Sequence, residues 1–281
     1  MESSVTGTYY YNKDYSKPIL IERKNLTDLS VSSPYWNDDV GQFNDGFIEW
    51  QKLGKGKVFN THIDYGNGNI WHREKRGNIL FIGANTMSEM FTKKHGIHFG
   101  SRLYSQYKHG IFIEAIPDIY KNLKSNLDKC NKKYNTNYIA INKLVTSKSG
   151  EEHQFNIFSN KGASSSIYEP NLDEWKWKNV KKTHEITLIS TTIRNLMKEN
   201  NWNEKKYDVV LDVQGAELVV LNGFSINNLK NICKLKVEIS KKEFYKDGVL
   251  FKNLNDFLIN NGFKIVSLPE SDHCDVIYIR S

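Results

Sequence analysis

From Asn78 onward, short apolar runs alternate with stretches of helical spacing. Ile79-Leu80-Phe81-Ile82 is continuous, ends at Gly83, and suits a strand buried on both faces. Gly110-Ile111-Phe112-Ile113-Glu114 is a second such run, and Tyr138-Ile139-Ala140-Ile141 a third. Between these two, Ile116, Ile119, Tyr120, Leu123 and Leu127 recur at helical spacing behind Pro117, which favours a helix start. His153 to Phe158 and Ile186 to Ile189 read as further strands, with a helix from about Thr192 to Glu199. Tyr207 to Asp212 is a strand ending in a carboxylate; Gln214-Gly215 turns the chain and Ala216 to Leu221 begins a helix. Leu235 to Ile239 is the next strand. Phe251, Leu254, Phe257 and Leu258 mark a helix stopped near Asn261-Gly262. Phe263 to Leu268 and Asp275 to Ile279 close the pattern. Too few residues separate them for a crossover helix, so they should pair antiparallel. The expected fold is α/β: a mostly parallel sheet with helices on both faces and an antiparallel closing pair.

Residues 1–76 read differently. They are rich in aromatics and Gly, with Tyr9-Tyr10-Tyr11, Tyr35-Trp36, Trp50 and Gly66-Asn67-Gly68-Asn69, and lack a long period. The expected division is therefore an N-terminal extension over 1–76, packed on a main domain over 77–281 because its aromatics need burial.

Composition narrows the class. Hydrophobic residues are 39% and charged residues 25%, the balance of a globular chain. No apolar run is long enough for a membrane span, and no secretory signal opens the chain, so a soluble, intracellular (cytoplasmic) protein is expected. Cys130, Cys233 and Cys274 are too few and too scattered for a disulfide framework or a zinc site. The net charge of +7 allows an anionic partner such as nucleic acid. Lys, Asn, Ile and Tyr are all AT-rich in codon usage, however, and an AT-rich genome raises the lysine count by itself. Oligomeric state has no signature in the sequence.

In such a sheet, ligands sit beyond the carboxyl ends of the strands. Gly83-Ala84-Asn85 follows the first strand, where a small residue lets the backbone approach a ligand. Glu114 ends the second strand, placed to accept hydrogen bonds from both hydroxyls of a ribose. Asp212 ends another, followed by Gln214, Gly215 and Glu217; a carboxylate there needs partners or a task. Glu238 ends the next. The 31 residues from Gly83 to Glu114 exceed the usual spacing, and His98 to His109 is read as an insertion. No HxH, CxxC or HExxH pattern points to a metal site.

Together these pieces resemble the FkbM family of S-adenosylmethionine-dependent methyltransferases. The matching segments are Phe81 to Asn85, Phe112 to Pro117, Ala163 to Ile167, Leu211 to Leu218, Val237 to Ser240 with Tyr245, and His273 to Tyr278. The resemblance spans about Asn78 to Arg280 and leaves residues 1–76 unplaced. It implies a class I methyltransferase fold with a seven-stranded sheet, S-adenosylmethionine as donor, and O-methylation of a sugar or small metabolite. By position, Gly83, Ala84 and Asn85 would line the methionine end of the donor, Glu114 the ribose, and Ala115 and Ile116 the adenine. Asp212 would face the reacting centre, with Ser164, Ser165, Ser166, Gln214 and Glu217 on the acceptor side.

Three departures stand out: Phe81 where the family usually has Asp, Met87 where it often has a second Gly, and Cys274 where Gly is common. The first removes a partner for the donor's ammonium group; Asp64 is a chemically suited replacement. Methyl transfer to oxygen needs alignment and removal of a proton. Asp212 is the expected base, with Glu238 or His273 assisting. Trp36, Trp50, Trp71, Trp175 and Trp177 offer flat faces to a sugar acceptor. An RNA ribose methyltransferase is the alternative, on the charge and on Lys176, Lys178, Lys181 and Lys182; a binding protein that kept the fold and lost the donor site is a third.

Overall fold

Strand β1 (Arg76–Ile82) runs through the middle of a seven-stranded sheet, where its second half, Ile79-Leu80-Phe81-Ile82, is apolar in both directions. Ile79, Leu80 and Ile82 are buried, and burying each contributes about 1.5–3 kcal/mol. The computed structural model describes residues 76–88, 107–266 and 268–280, together with the backbone of short strands before residue 76. In that earlier region Gly7–Tyr11 pairs with Pro18–Glu22, Trp36–Asn37 with Gln42–Phe43, and His62–Asp64 with both Lys57–Val58 and Ile70–His72, all antiparallel. The expected packing of this segment on the main domain, the Asp64 side chain, and those of Trp36, Trp50 and Trp71 lie outside the described residues.

The elements after β1 are β2 (Tyr107–Glu114), α1 (Pro117–Tyr134), β3 (Asn137–Asn142), β4 (Leu144–Val145), β5 (Glu152–Phe158) and β6 (Lys182–Thr191). Then come α2 (Ile193–Glu199), β7 (Tyr207–Leu211), α3 (Glu217–Asn222), α4 (Ile226–Lys230) and β8 (Ile232–Ser240). The chain closes with α5 (Phe251–Asn260), β9 (Phe263–Ile265) and β10 (His273–Arg280). The sheet order is β3-β2-β1-β7-β8-β10-β9. The first five strands are mutually parallel; β10 runs antiparallel to both β8 and β9. This is the class I methyltransferase arrangement, and β1 and β7 stand side by side where the strand order reverses.

The main core joins Leu80, Ile82, Ile111, Ile113, Val209 and Leu211 to side chains of α2, α3 and α5. Elsewhere in the sheet Phe112 packs between Phe81, stacked at 6.1 Å, and Tyr138, tilted at 5.0 Å. Gly110 makes room there, since a Cβ on it would stand 2.6 Å from the Phe112 ring. No helix among the described residues is long and apolar enough to cross a membrane.

Three expectations need correction. β2 begins at Tyr107, so Tyr107, Lys108 and His109 belong to the strand and not to an insertion. Tyr107 is buried there with its hydroxyl donating to Asp208 at 2.6 Å; the rest of the expected insertion, residues 98–106, lies outside the described residues. β5 and β6 do not extend the main sheet. They pair antiparallel and, with β4, form a separate three-stranded sheet that covers Ile116 with Leu144, Phe155 and Ile157. β9 stops at Ile265, short of Leu268, which is exposed beyond the strand.

Candidate functional site

The carboxyl ends of β1, β2, β7 and β8 gather the residues singled out above. Gly83, with φ of 79°, turns the chain out of β1. A Cβ on it would overlap the carbonyl oxygen of Asp212 and stand 2.8 Å from the carbonyl carbon, so this glycine lets the loops after β1 and β7 touch. The Gly83 and Ala84 amides both donate to the Ile113 carbonyl, at 3.1 and 3.0 Å, which ties the same loop to β2. Asn85 and Met87 follow, both left-handed with φ of 48°. Met87 thus holds a conformation that a glycine adopts more readily.

Glu114 is buried at the end of β2. Its Oε2 accepts from the Asn85 amide at 2.9 Å and its Oε1 from the Ile116 amide at 2.8 Å. Burial raises its pKa, and those backbone donors, with that of Ala115, oppose the rise. The carboxylate is held rigidly, and each oxygen keeps acceptor capacity for a further donor. Asn142, at the end of β3, donates to the carbonyls of Glu114 and Ala115 at 2.8 and 2.9 Å and fixes this strand end from the other side. Ile116 turns into the core of the second sheet, while Ala115 is half-buried.

Asp212, one residue past β7, is joined to Glu238 on β8 through a single side chain. Nε2 of Gln214 donates to Asp212 Oδ1 and to Glu238 Oε2, both at 2.6 Å. Gln214 does this from a left-handed backbone, φ 55°, and its Oε1 is held 2.9 Å from the Tyr245 hydroxyl. That hydroxyl also lies 2.8 Å from the Ser164 carbonyl oxygen. The other oxygen of Glu238 lies 3.0 Å from His273 Nε2, and His273 Nδ1 shares a 2.8 Å hydrogen bond with Ser240. Burial, then the nearby Glu238 charge, holds Asp212 well above the usual carboxylate range; the Gln214 hydrogen bond works against that. Glu217 is buried at the start of α3, where its Oε1 accepts from the Val213 and Gly215 amides at 3.2 Å. Burial, followed by the Glu238 charge, pushes it up to about 8.

The serine run points inward. Ser166 donates to the Gln214 carbonyl at 2.8 Å, Ser165 accepts from the Phe158 amide, and Ser164 accepts from Asn160. All three are buried, so the run fastens the loop after β5 beneath Gln214. Beyond His273 stands a group of rings. Trp177 lies edge-on to His273 at 5.0 Å and to Phe244 at 5.2 Å, and Trp175 packs between Phe158, Trp177 and Tyr245. Of the lysines nearby, Lys176 lies over the Trp177 and Phe244 rings and Lys182 is paired with Glu169 and Glu185. Sequence reasoning left Asn142, Ser240 and Phe244 out of the site and gave Tyr245 no role. Ser240 and Tyr245 lay inside a matching segment; Asn142 and Phe244 carried no signal of their own.

A family model described as the methyltransferase FkbM domain matches residues 39–265. The chain belongs to the FkbM methyltransferase family. The match begins inside the segment that the sequence motifs left unplaced, at residue 39. No curated protein sequence matches the chain. Among solved structures, it is similar to the FkbM methyltransferase of Methylobacillus flagellatus KT, at 10% identity and a TM-score of 0.43 over 72% of this chain. It spans only 43% of that protein's length. It is also similar to magnesium protoporphyrin IX methyltransferase of Synechocystis PCC 6803 with bound SAM: 11% identity, 84% of this chain, 77% of that one, and a TM-score of 0.36.

S-adenosylmethionine is the FkbM family's methyl donor, and the described residues suit it. The pinned Glu114, with a lone pair left on each oxygen, fits a ribose, while the space that Gly83 leaves is taken by the Asp212 carbonyl. Phe81, just before the Gly83 turn, is committed to packing on Phe112. The carboxylate bonded to that loop is Glu114, through the Asn85 amide, and the backbone of Asp212 touches it at Gly83.

Proposed function

We propose that this FkbM protein methylates a hydroxyl of a sugar or glycan, with Asp212 as the base. The observation that carries the reading is the state of Asp212. Its Oδ1 is held by Gln214, while its Oδ2 has no hydrogen-bond partner among the described residues; its backbone carbonyl meets Gly83 at the switch point of the sheet. A carboxylate held on one oxygen and open on the other, with a raised proton affinity, is suited to orient an acceptor hydroxyl and take its proton. S-adenosylmethionine supplies an electrophilic methyl whose sulfur leaves as a neutral thioether. The protein therefore aligns the acceptor oxygen and holds its proton, and no leaving anion needs stabilising.

Glu114 fixes the ribose end and Glu238, steadied by His273, keeps Asp212 in place through Gln214. Support for a sugar comes from the half-buried ring of Trp177, beside His273 and Phe244, whose edge-to-face grouping offers an apolar wall next to a polar site. The test has two parts. S-adenosylmethionine and S-adenosylhomocysteine should each raise the melting temperature. Labelled methyl groups should then pass to members of a panel of mono- and oligosaccharides and not to RNA. Transfer to RNA alone, or to no hydroxyl while a nitrogen acceptor is methylated, overturns the acceptor assignment. Near wild-type turnover by Asp212→Asn overturns the base.

A further inference from the structure

We propose that the Asp212–Glu238 pair holds one proton in the free protein and gives it to solvent when the positively charged donor binds, but not when its neutral thioether product binds. The inference rests on the reading of Asp212 as the group beside the reacting centre.

The geometry is that of two carboxyl groups sharing one donor. Both accept from the same Gln214 nitrogen, which places the two oxygens within about 5 Å of each other, a separation at which like charges oppose one another. Gln214 cannot rotate away from this task. Its side-chain oxygen is engaged by Tyr245, and its backbone carbonyl accepts from Ser166 at 2.8 Å.

The titratable groups facing the pair are mostly acidic, though Glu217, pushed up to about 8, is mainly uncharged at pH 7. Glu217 faces it from the start of α3, and Asp275 from β10, where it is tied to Lys236 at 2.6 Å. The Tyr245 hydroxyl faces Gln214. The basic group in contact with the pair is His273, and it touches Glu238, not Asp212. Burial and the Glu238 charge both favour a protonated Asp212.

A sulfonium brought next to Asp212 reverses that balance, because its charge favours the ionised carboxylate. The base is then free to accept a proton only once the donor is in place. The charges also balance across the turnover. The acceptor oxygen forms a bond to the methyl carbon as the carbon–sulfur bond breaks and its electron pair stays on sulfur. The acceptor's proton passes to Asp212 Oδ2. The positive charge on sulfur is gone, and the pair again holds one proton. A protein without this device would release the same proton count with donor and product.

Calorimetric titration at pH 7 in two buffers of different ionisation enthalpy reads this without any acceptor. S-adenosylmethionine should release about one proton per molecule bound, and S-adenosylhomocysteine none. Affinity for the donor should tighten with pH, up to about tenfold per unit, while affinity for the product stays flat. Asp212→Asn should abolish the release while still binding the donor; S-adenosylhomocysteine carries the same amine, so its titration accounts for any share from that group. Glu217→Gln should keep most of it. If Asp212→Asn fails to fold, Glu238→Gln serves, and should lose much of the release because the opposing charge is gone. Equal proton counts for donor and product, or an undiminished release in Asp212→Asn or its substitute Glu238→Gln, overturn the pair's role alone. Failure of both ligands to bind the wild-type protein overturns it together with the proposed function.

Discussion

Gly83 and Asp212 are in backbone contact across the switch point of the sheet: a Cβ on the glycine would overlap the aspartate's carbonyl oxygen. Its φ of 79° is also left-handed. Gly83→Ala should therefore cost about 3 kcal/mol or more, since steric overlap adds to backbone strain. Gly150 separates the two effects. It has φ of 83° and nothing within 4 Å of where a Cβ would stand, so Gly150→Ala should cost only about 1–2 kcal/mol. Chemical denaturation of both variants checks this. Equal losses would mean that the Asp212 contact relaxes freely.

Glu114 is held by the Asn85 and Ile116 amides and keeps a lone pair on each oxygen. Glu114→Gln keeps one acceptor and loses the charge. Affinity for S-adenosylhomocysteine should fall by roughly 10–100-fold, the value of a charge-assisted hydrogen bond. Titration calorimetry reads the change directly, and an unaltered affinity would remove Glu114 from the ribose site.

Glu217 makes a prediction about pH. Its carboxyl is raised from the ordinary 4.5 to about 8 by burial and by Glu238. The unfolded chain therefore ionises first as pH rises. The folded protein loses stability between about 4.5 and about 8 on this account, and the loss levels off above that window. Glu217→Gln retains an acceptor oxygen for the Val213 and Gly215 amides and cannot ionise. Its stability relative to wild type should climb across the window by roughly 1–4 kcal/mol. Melting curves from pH 4 to pH 9 test this; a constant difference would show that Glu217 titrates normally.

Met87 sits at φ 48°, half-buried, where the family often has glycine. Relief of left-handed strain outweighs or balances the added freedom of the unfolded chain. Met87→Gly should thus be neutral to about 1 kcal/mol stabilising, with affinity for S-adenosylhomocysteine retained. A clear loss of either would mean that the methionine side chain itself contributes contacts there.

The strands of the main sheet were legible because their signal is local. Ile79 to Ile82, Ile111 to Ile113 and Val209 to Leu211 are apolar in both directions, as a strand covered on both faces must be, and each is followed by Gly or an acid. The same locality made Gly83, Glu114, Asp212 and Glu238 stand out, since position at a strand's carboxyl end follows once the strand is known. Partnership does not follow. β5 and β6 carry ordinary strand patterns, and only register in three dimensions sends them to a separate sheet. Gln214 reads as a turn residue, yet its side chain spans two strands to join Asp212 and Glu238, while Tyr245 steadies it from a loop 31 positions on. Nothing in the spacing of these residues encodes those hydrogen bonds. They arise because packing of the core brings β7 and β8 side by side and folds the loop after β8 back over their ends, which places a few polar atoms within about 3 Å. Apolar periodicity thus determined the main sheet and which carboxylates stand at its carboxyl edge; tertiary packing alone decided which of them share a hydrogen-bond donor.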